Sequence, residues 1–266
     1  MYFIQLNMIP ILYSLFWFFI NIIHFSNAKQ IEVNDYSSFE KELNNCKSKN
    51  NLDFIVKKNI TIPYQLKFEC NKNTIINISG IDDNTYINQN FHDEQGPHEQ
   101  DIFNNYMINL SNIGSLNLKK ININGNVYVE KGGNIEFKNF IMKGDTFLSN
   151  IKNEIIIDNI KFETNNEITN GNNMVYINES KVTISNCIFE STANIEQVIY
   201  LNKCDNIDFD NLKINGSFDK KIKPPSKIHK SLRFNTCTGN IKNMEIFNFR
   251  DTCEDGYYGL VHYFKK

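Results

Sequence analysis

An eight-residue pattern of apolar and polar positions recurs along this chain. In each copy, two short stretches that alternate apolar and polar residues, as half-buried β-strands do, meet at a central position that is usually Asn. The pattern predicts a solenoid, in which coils of about 20 residues stack on one another in the tightest stretch. The copies run over residues 116–123, 135–142, 155–162, 182–189, 207–214 and 239–246.

A third short strand precedes several of these pairs. It is rich in Val, Ile, Leu and Tyr, residues that favour β-structure. Each coil is therefore expected to carry three strands. The third strands are residues 127–129, 175–177, 199–201 and 232–234.

The central Asn suits a sharp bend between two strands, because Asn tolerates the left-handed backbone conformation at little cost. Its amide also donates and accepts, so that amides of successive coils can bond to one another. We therefore predict a stacked column of Asn side chains inside the solenoid. Its members are Asn139, Asn159, Asn186, Asn211 and Asn243.

With these repeats the chain resembles the right-handed parallel β-helix, or pectin-lyase-like, superfamily, and in particular its secreted repeat proteins. The resemblance covers roughly residues 53–266. It implies an all-β fold, a right-handed parallel β-helix solenoid with a short N-terminal helical cap. It implies no single activity, because the architecture serves lyases, hydrolases, adhesins and structural proteins.

The chain divides into three expected segments. Residues 1–28 contain no Asp, Glu, Lys or Arg and are expected to be a signal peptide, with a retained membrane anchor as the alternative. Residues 29–52 are expected to form the cap, with a helix that opens at a capping box over residues 37–40. Residues 53–266 are the predicted β-helix, expected to be incomplete at its C-terminal end because the chain stops partway through a coil.

Cysteines and glycosylation sequons fit a secreted chain. Cys204 and Cys237 occupy equivalent places in successive coils, which stack about 4.8 Å apart, so we predict a disulfide between them. A second pairing, Cys46 with Cys70, would tie the cap to the first coil. Among the sequons, those at Asn178 and Asn215 are at predicted turns and are the expected glycosylation sites.

The outward positions of the third strand predict a column of side chains on one sheet. Aromatic rings in line offer apolar faces and hydroxyl groups to sugars, so the column is a candidate ligand-binding surface. The alternative is that Tyr, which has high β-propensity, only stabilises the sheet. The column comprises Asn109, Tyr128, Leu148, Tyr176, Tyr200, Arg233 and His262, of which Tyr128, Tyr176, Tyr200 and Arg233 are the candidate binding residues.

Two charged segments allow a binding interpretation and a simpler one. The acidic residues between 82 and 101 could hold Ca²⁺, but their spacing fits no known ligand loop, which favours a solvated insertion. The lysine-rich residues 220–230 could grip an acidic polysaccharide, but a solvated charge run is the simpler interpretation. We therefore predict no metal site and no cofactor.

No group of acidic and basic residues in the sequence matches the catalytic arrangement of a glycosidase or a lyase. Glycosidases need paired acids at a fixed separation, yet Asp158 and Asp210 share one outward column with Ser185 between them. The net charge of −2 argues against binding of nucleic acid or a membrane surface by charge. We expect a secreted or cell-surface structural or adhesive module, with a polysaccharide or cell-wall glycan as its partner. The alternative is a polysaccharide lyase or glycoside hydrolase of the pectin-lyase-like class.

Overall fold

The chain forms a parallel β-solenoid, which confirms the all-β fold class expected from the repeat. Its coils contribute to two sheets, here called the large sheet and the small sheet. The predicted signal peptide, residues 1–28, lies outside the described residues. The computed structural model describes residues 30–91, 106–164, 173–191, 197–216, 230–247 and 261–264.

The large sheet holds the strand pairs of the eight-residue repeat. Its strands are parallel, so equivalent residues of successive coils lie side by side, as Ile135 does with Ile155. In the tightest coils the two strands of a repeat join into one long strand that bends at its Asn. The strands are β1 (Gln30–Val33), β2 (Asn51–Val56), β3 (Ile60–Ile62), β5 (Ile75–Gly80), β6 (Tyr86–Gln89), β8 (Ser115–Lys119), β9 (Asn122–Asn124), β11 (Asn134–Lys143), β13 (Glu154–Glu163), β15 (Lys181–Ser185), β16 (Ile188–Ser191), β18 (Asp205–Gly216) and β20 (Gly239–Phe247).

The small sheet holds the third strand of each coil. It too is parallel, and each strand between the two end strands pairs with its equivalent in the coils before and after it. The strands are β4 (Leu66–Glu69), β7 (Ile108–Ser111), β10 (Val127–Glu130), β12 (Thr146–Ser149), β14 (Asn173–Asn178), β17 (Gln197–Asn202), β19 (Lys230–Asn235) and β21 (Val261–Phe264).

Aliphatic and aromatic side chains fill the interior, and burial of their apolar area is the main force that holds the coils together. Similar side chains of neighbouring coils stack on one another. For example, the rings of Phe162 and Phe189 lie parallel with centroids 4.7 Å apart. The inward positions of one coil, all at most 6% exposed, are Ile135, Phe137, Phe140, Met142 and Leu148.

Each repeat bends at its central residue, where the backbone is left-handed as predicted. The φ angles of the five predicted Asn lie between 49° and 61°. Lys120, which replaces Asn in one copy, has a φ of 52°. The bend therefore requires the left-handed conformation even where Asn is absent.

The side chains at the bend point outward, so the prediction of an interior Asn column is wrong. Asn139 is exposed, whereas Phe137 and Phe140 on either side of it are buried. The bend adds one residue to the alternation, which makes Lys138 and Asn139 two successive outward positions. Amides of this outer column still bond between coils: Asn159 donates to Asn139 at 2.8 Å, Asn211 to Asn186 at 2.9 Å, Asn186 to Asp158 at 2.9 Å and Asn243 to Asp210 at 2.8 Å.

A short helix, α1 (Tyr36–Leu43), covers the N-terminal end of the solenoid and continues into a 3₁₀ turn at Asn44–Lys47. The Asp35 carboxylate caps it by accepting from the Ser38 backbone N–H at 2.8 Å, so the predicted capping box at residues 37–40 is wrong. Phe39 is fully buried and packs against the first coil. Because β1 pairs with β2, the cap also extends the large sheet.

Of the two predicted disulfides, the structure contains only the second, Cys46–Cys70. Cys46 and Cys70 form a disulfide, with Cα atoms 4.9 Å apart, and join the cap to the first coil. No disulfide joins Cys204 to Cys237. The Cys204 sulfur lies 3.5 Å from the Ile177 backbone oxygen, and the Cys237 sulfur lies 3.5 Å from that of Leu201. The pKa of the Cys204 thiol is raised, because it hydrogen-bonds to the Cys237 sulfur and is buried.

Candidate functional site

A row of large side chains follows the outer face of the small sheet. Tyr128, Tyr176, Tyr200 and Arg233 lie at equivalent positions of four strands of the small sheet, as the sequence predicted. His262 is the backbone partner of Arg233 in β21. The row therefore follows the axis along which the coils stack.

Phe147, not Leu148, is the row's member in β12. Phe147 is in register with Tyr128 on one side and Tyr176 on the other. Leu148 points inward and is fully buried. The four residues of β12 alternate without a clear polar face, so only the pairing with neighbouring strands reveals their register.

The rings of the row stack on one another. Phe147 lies nearly parallel to Tyr128 and to Tyr176, with centroids 4.8 Å and 4.5 Å away. Tyr176 meets Tyr200 edge-on at 5.0 Å. The Arg233 guanidinium lies over the Tyr200 ring, 4.5 Å from its centroid, in a cation–π contact.

Tyr106 is a further member that the sequence did not reveal. It packs on Tyr128 at 5.3 Å and reaches Phe147, two coils away, at 6.4 Å between centroids. By register, the equivalent positions in the next two coils are Gly125 and Gly144, which carry no side chain.

Burial affects the hydroxyl groups of two tyrosines of the row, Tyr128 and Tyr176. Tyr128 is only 7% exposed, and burial raises the pKa of its hydroxyl. Burial raises the pKa of Tyr176 as well. The Tyr128 hydroxyl donates to the Glu130 carboxylate at 3.3 Å.

This geometry favours support of the sheet over stacking against sugars. A sugar ring needs an open aromatic face, but both faces of Phe147 are covered by neighbouring rings. One face of Tyr200 is covered by Arg233. Sugar binding by Tyr128, Tyr176, Tyr200 and Arg233 stays a prediction, and ring edges and hydroxyl groups are what the row offers.

The two expected glycosylation sites differ in their surroundings. The Asn178 amide belongs to a second hydrogen-bonded column, since it donates to Ser149 and accepts from Asn202 at 2.6 Å. The sequon's Ser180 is buried and donates to the Asn178 carbonyl at 2.9 Å. These contacts disfavour modification of the folded chain at Asn178. Asn215 is half-buried near the end of β18.

Carboxylates on the outer face of the large sheet are held by lysines. Glu136 lies 2.5 Å from the ammonium group of Lys119 and 2.6 Å from that of Lys138. Partial burial raises the pKa of Glu136, but hydrogen bonds from the two lysines outweigh it and the net shift is downward. The pKa of Glu163 is lowered in the same way. These groups are ionised at neutral pH.

Asp158 and Asp210, which share the outward column next to the bend asparagines, are separated from each other by one coil, as the sequence predicted. Ser185 lies between Asp158 and Asp210 in register. Its hydroxyl donates to Asp158 at 2.7 Å, and this bond is the main cause of a lowered Asp158 pKa. Asp210 accepts from the Asn243 amide at 2.8 Å. The two carboxylates form no acid–base pair.

The charged segments proposed from sequence fall largely outside the described residues. Residues 92–101 of the acidic segment and residues 220–229 of the lysine-rich segment are not described. Asp82, which is described, caps a turn by accepting from the Asn84 backbone N–H at 2.9 Å. Within the described ranges, no group of three or more His, Cys, Asp or Glu side chains is placed to hold a metal ion.

Among the helical residues of the described part of the chain, no segment has the length and apolar character that a membrane span requires. Comparison of the chain with protein-family models, with curated proteins and with solved structures finds no match.

Proposed function

We propose that this chain is a secreted repeat protein of the right-handed β-helix, pectin-lyase-like type, which serves outside the cell as a rigid structural and adhesive module without catalysis. The observation that carries the proposal is the continuity of the stack. Both sheets pair from coil to coil, and columns of amides, ion pairs and rings repeat along the outer surface. A solenoid built in this way presents a long, regular surface to a partner.

An oxidising, extracellular setting is supported by two features. The Cys46–Cys70 disulfide is of the kind that persists outside the reducing cytosol. The uncharged apolar N-terminus, residues 1–28, has the composition of a signal peptide. Glycosylation at Asn215 is part of the same proposal.

The pKa values of three outer carboxylates favour adhesion over cleavage of a polysaccharide by a glycosidase. A glycosidase's general acid has a raised pKa, so that it carries a proton at working pH. The pKa values of Glu136, Glu163 and Asp158 are lowered instead. Ionised carboxylates tied to lysine or serine are suited to holding strands in register.

Incubation of the purified mature protein with insoluble plant and microbial polysaccharides tests the proposal. We expect retention of the protein on at least one polysaccharide, with no release of reducing or unsaturated sugar ends. Boiled protein is the control for non-specific retention. Sugar release that follows the protein through successive purification steps would overturn the non-catalytic assignment.

A further inference from the structure

A trough runs along the bends of the large sheet, away from the aromatic row. Its volume is about 320 Å³, at the lower end of the roughly 300–1,000 Å³ typical of ligand pockets. Three bend asparagines line it, Asn139, Asn159 and Asn186, together with Ile141 and Ile188 from the strands that follow the bends. These residues belong to successive coils, so the trough is elongated along the stack.

The asparagines offer hydrogen-bonding groups beyond those that join the coils. An Asn amide carries two N–H donors and an oxygen with two lone pairs. The bond from Asn159 to Asn139 uses one donor of the first and one lone pair of the second. All three asparagines are exposed, so their remaining groups are accessible to a ligand. Their spacing is that of neighbouring strands, about 4.8 Å.

The isoleucines add apolar surface beside these amides. Ile141, Lys161 and Ile188 are successive members of one outward column. Ile188 is 40% exposed, and Lys213 follows it in the same column. Lysine therefore fits this column, and isoleucine at two of its positions is not required by the fold.

The charges of the trough cancel locally. The Lys161 ammonium group lies 2.8 Å from the Glu163 carboxylate and 2.9 Å from that of Glu190. Of the other lining residues, only Asp83 is charged. A ligand with a high density of negative charge would find no uncompensated cation among these residues.

We propose that the trough binds an uncharged polysaccharide strand that lies along the stack of coils. Amides at regular spacing bond to sugar hydroxyl groups, and Ile141 and Ile188 contact the apolar C–H surfaces of the sugar rings. This inference rests on the proposed adhesive function and assigns its binding surface. It places that surface at the bends and not at the aromatic row.

Two isoleucine variants test the assignment in the full mature chain. Ile188→Lys and Ile141→Lys put a charged side chain where the column already accepts lysine, so they are expected to fold. Ile156→Lys is the matched control, because Ile156 is also a half-buried outward residue of the large sheet but does not line the trough. Binding is measured by calorimetry with soluble β-1,3-glucan, xyloglucan and galactomannan, and with polygalacturonate as the acidic probe.

We expect at least one uncharged glycan to bind, with a Kd at least tenfold weaker for the double variant Ile141→Lys/Ile188→Lys and unchanged for Ile156→Lys. The variant Asn139→Gly/Asn159→Gly keeps the left-handed bends but removes two amides, and it should weaken binding as well. Unchanged affinity in both double variants, absence of binding to every uncharged glycan, or tighter binding of polygalacturonate would overturn the assignment. Sugar release would instead contradict the proposed function, so the two failures are distinguishable.

Discussion

The ring of Phe147 lies nearly parallel to the ring of Tyr176, with 4.5 Å between their centroids and 18° between their planes. Its other face meets Tyr128 at 4.8 Å. Stacked aromatic pairs contribute about 0.5–1.5 kcal/mol beyond the burial of their area. The row thus stabilises the small sheet across neighbouring coils.

Removal of the central ring should destabilise the fold. We expect Phe147→Ala to lower the free energy of unfolding by roughly 2–4 kcal/mol, because it deletes two stacked contacts and buried area. Urea denaturation followed by circular dichroism measures the change. Phe147→Tyr is the control and should remain close to wild type, since Tyr occupies neighbouring positions of the row. An Ala variant as stable as wild type would show that the stacking is unimportant.

The left-handed bend at Asn186, whose φ is 54°, predicts which substitutions there cost the most stability. Asn186→Leu should cost about 1–2 kcal/mol, because a left-handed backbone is strained for residues with a bulky side chain. Asn186→Gly relieves that strain and should cost less, although it too loses the bonds to Asp158 and Asn211. Thermal unfolding of both variants decides the matter. Equal losses would mean that the bonds, not the bend, make Asn suitable here.

The disulfide of the cap should contribute measurably to stability. It closes a loop with a sequence separation of 24 residues, for which chain entropy predicts about 3 kcal/mol. We expect Cys46→Ala/Cys70→Ala to lose about that amount, and reduction of the wild type to have the same effect. Peptide mapping without reduction should recover the Cys46–Cys70 pair. A linked peptide joining Cys204 to Cys237 would contradict the structure.

Acid should destabilise the protein through the outer carboxylates. The pKa of Glu136 is lowered from its ordinary value of 4.5 in the folded chain. Between the folded and unfolded pKa values the unfolded chain binds more protons, so the free energy of unfolding increases with pH in that window. The contribution of Glu136 is therefore complete above pH 4.5 and is lost as the pH falls through the folded pKa.

Glu136→Gln isolates this effect. Denaturation midpoints measured at a series of pH values should show a shallower slope on the acid side of pH 4.5 for the variant than for wild type. A lower midpoint at neutral pH is also expected, since the contacts with Lys119 and Lys138 are lost. Identical acid slopes would show that Glu136 does not take part.

The disulfide and the aromatic row mark where sequence-based prediction was limited. The spacing of coils favoured Cys204 with Cys237, but the structure contains the second predicted pairing, Cys46 with Cys70, which ties the cap to the first coil. Equivalent places in successive coils bring Cys204 and Cys237 close, but proximity of inward thiols does not require a bond. Phe147 was missed because lateral register depends on neighbouring coils, not on the residues of β12 alone.

Alternating apolar and polar residues were enough to predict the coils and their three strands, and the recurring Asn was enough to predict the left-handed bend. These features depend on contacts and backbone preferences within a few residues. Alternation determines which side chains point into the core and which into solvent only within a single strand. At Asn139 the chain turns, and whether the side chain then points into the core or into solvent depends on the path of the backbone through the bend. Only the stacked coils could therefore decide that the asparagines line an outer trough, because that surface is assembled from residues of successive coils.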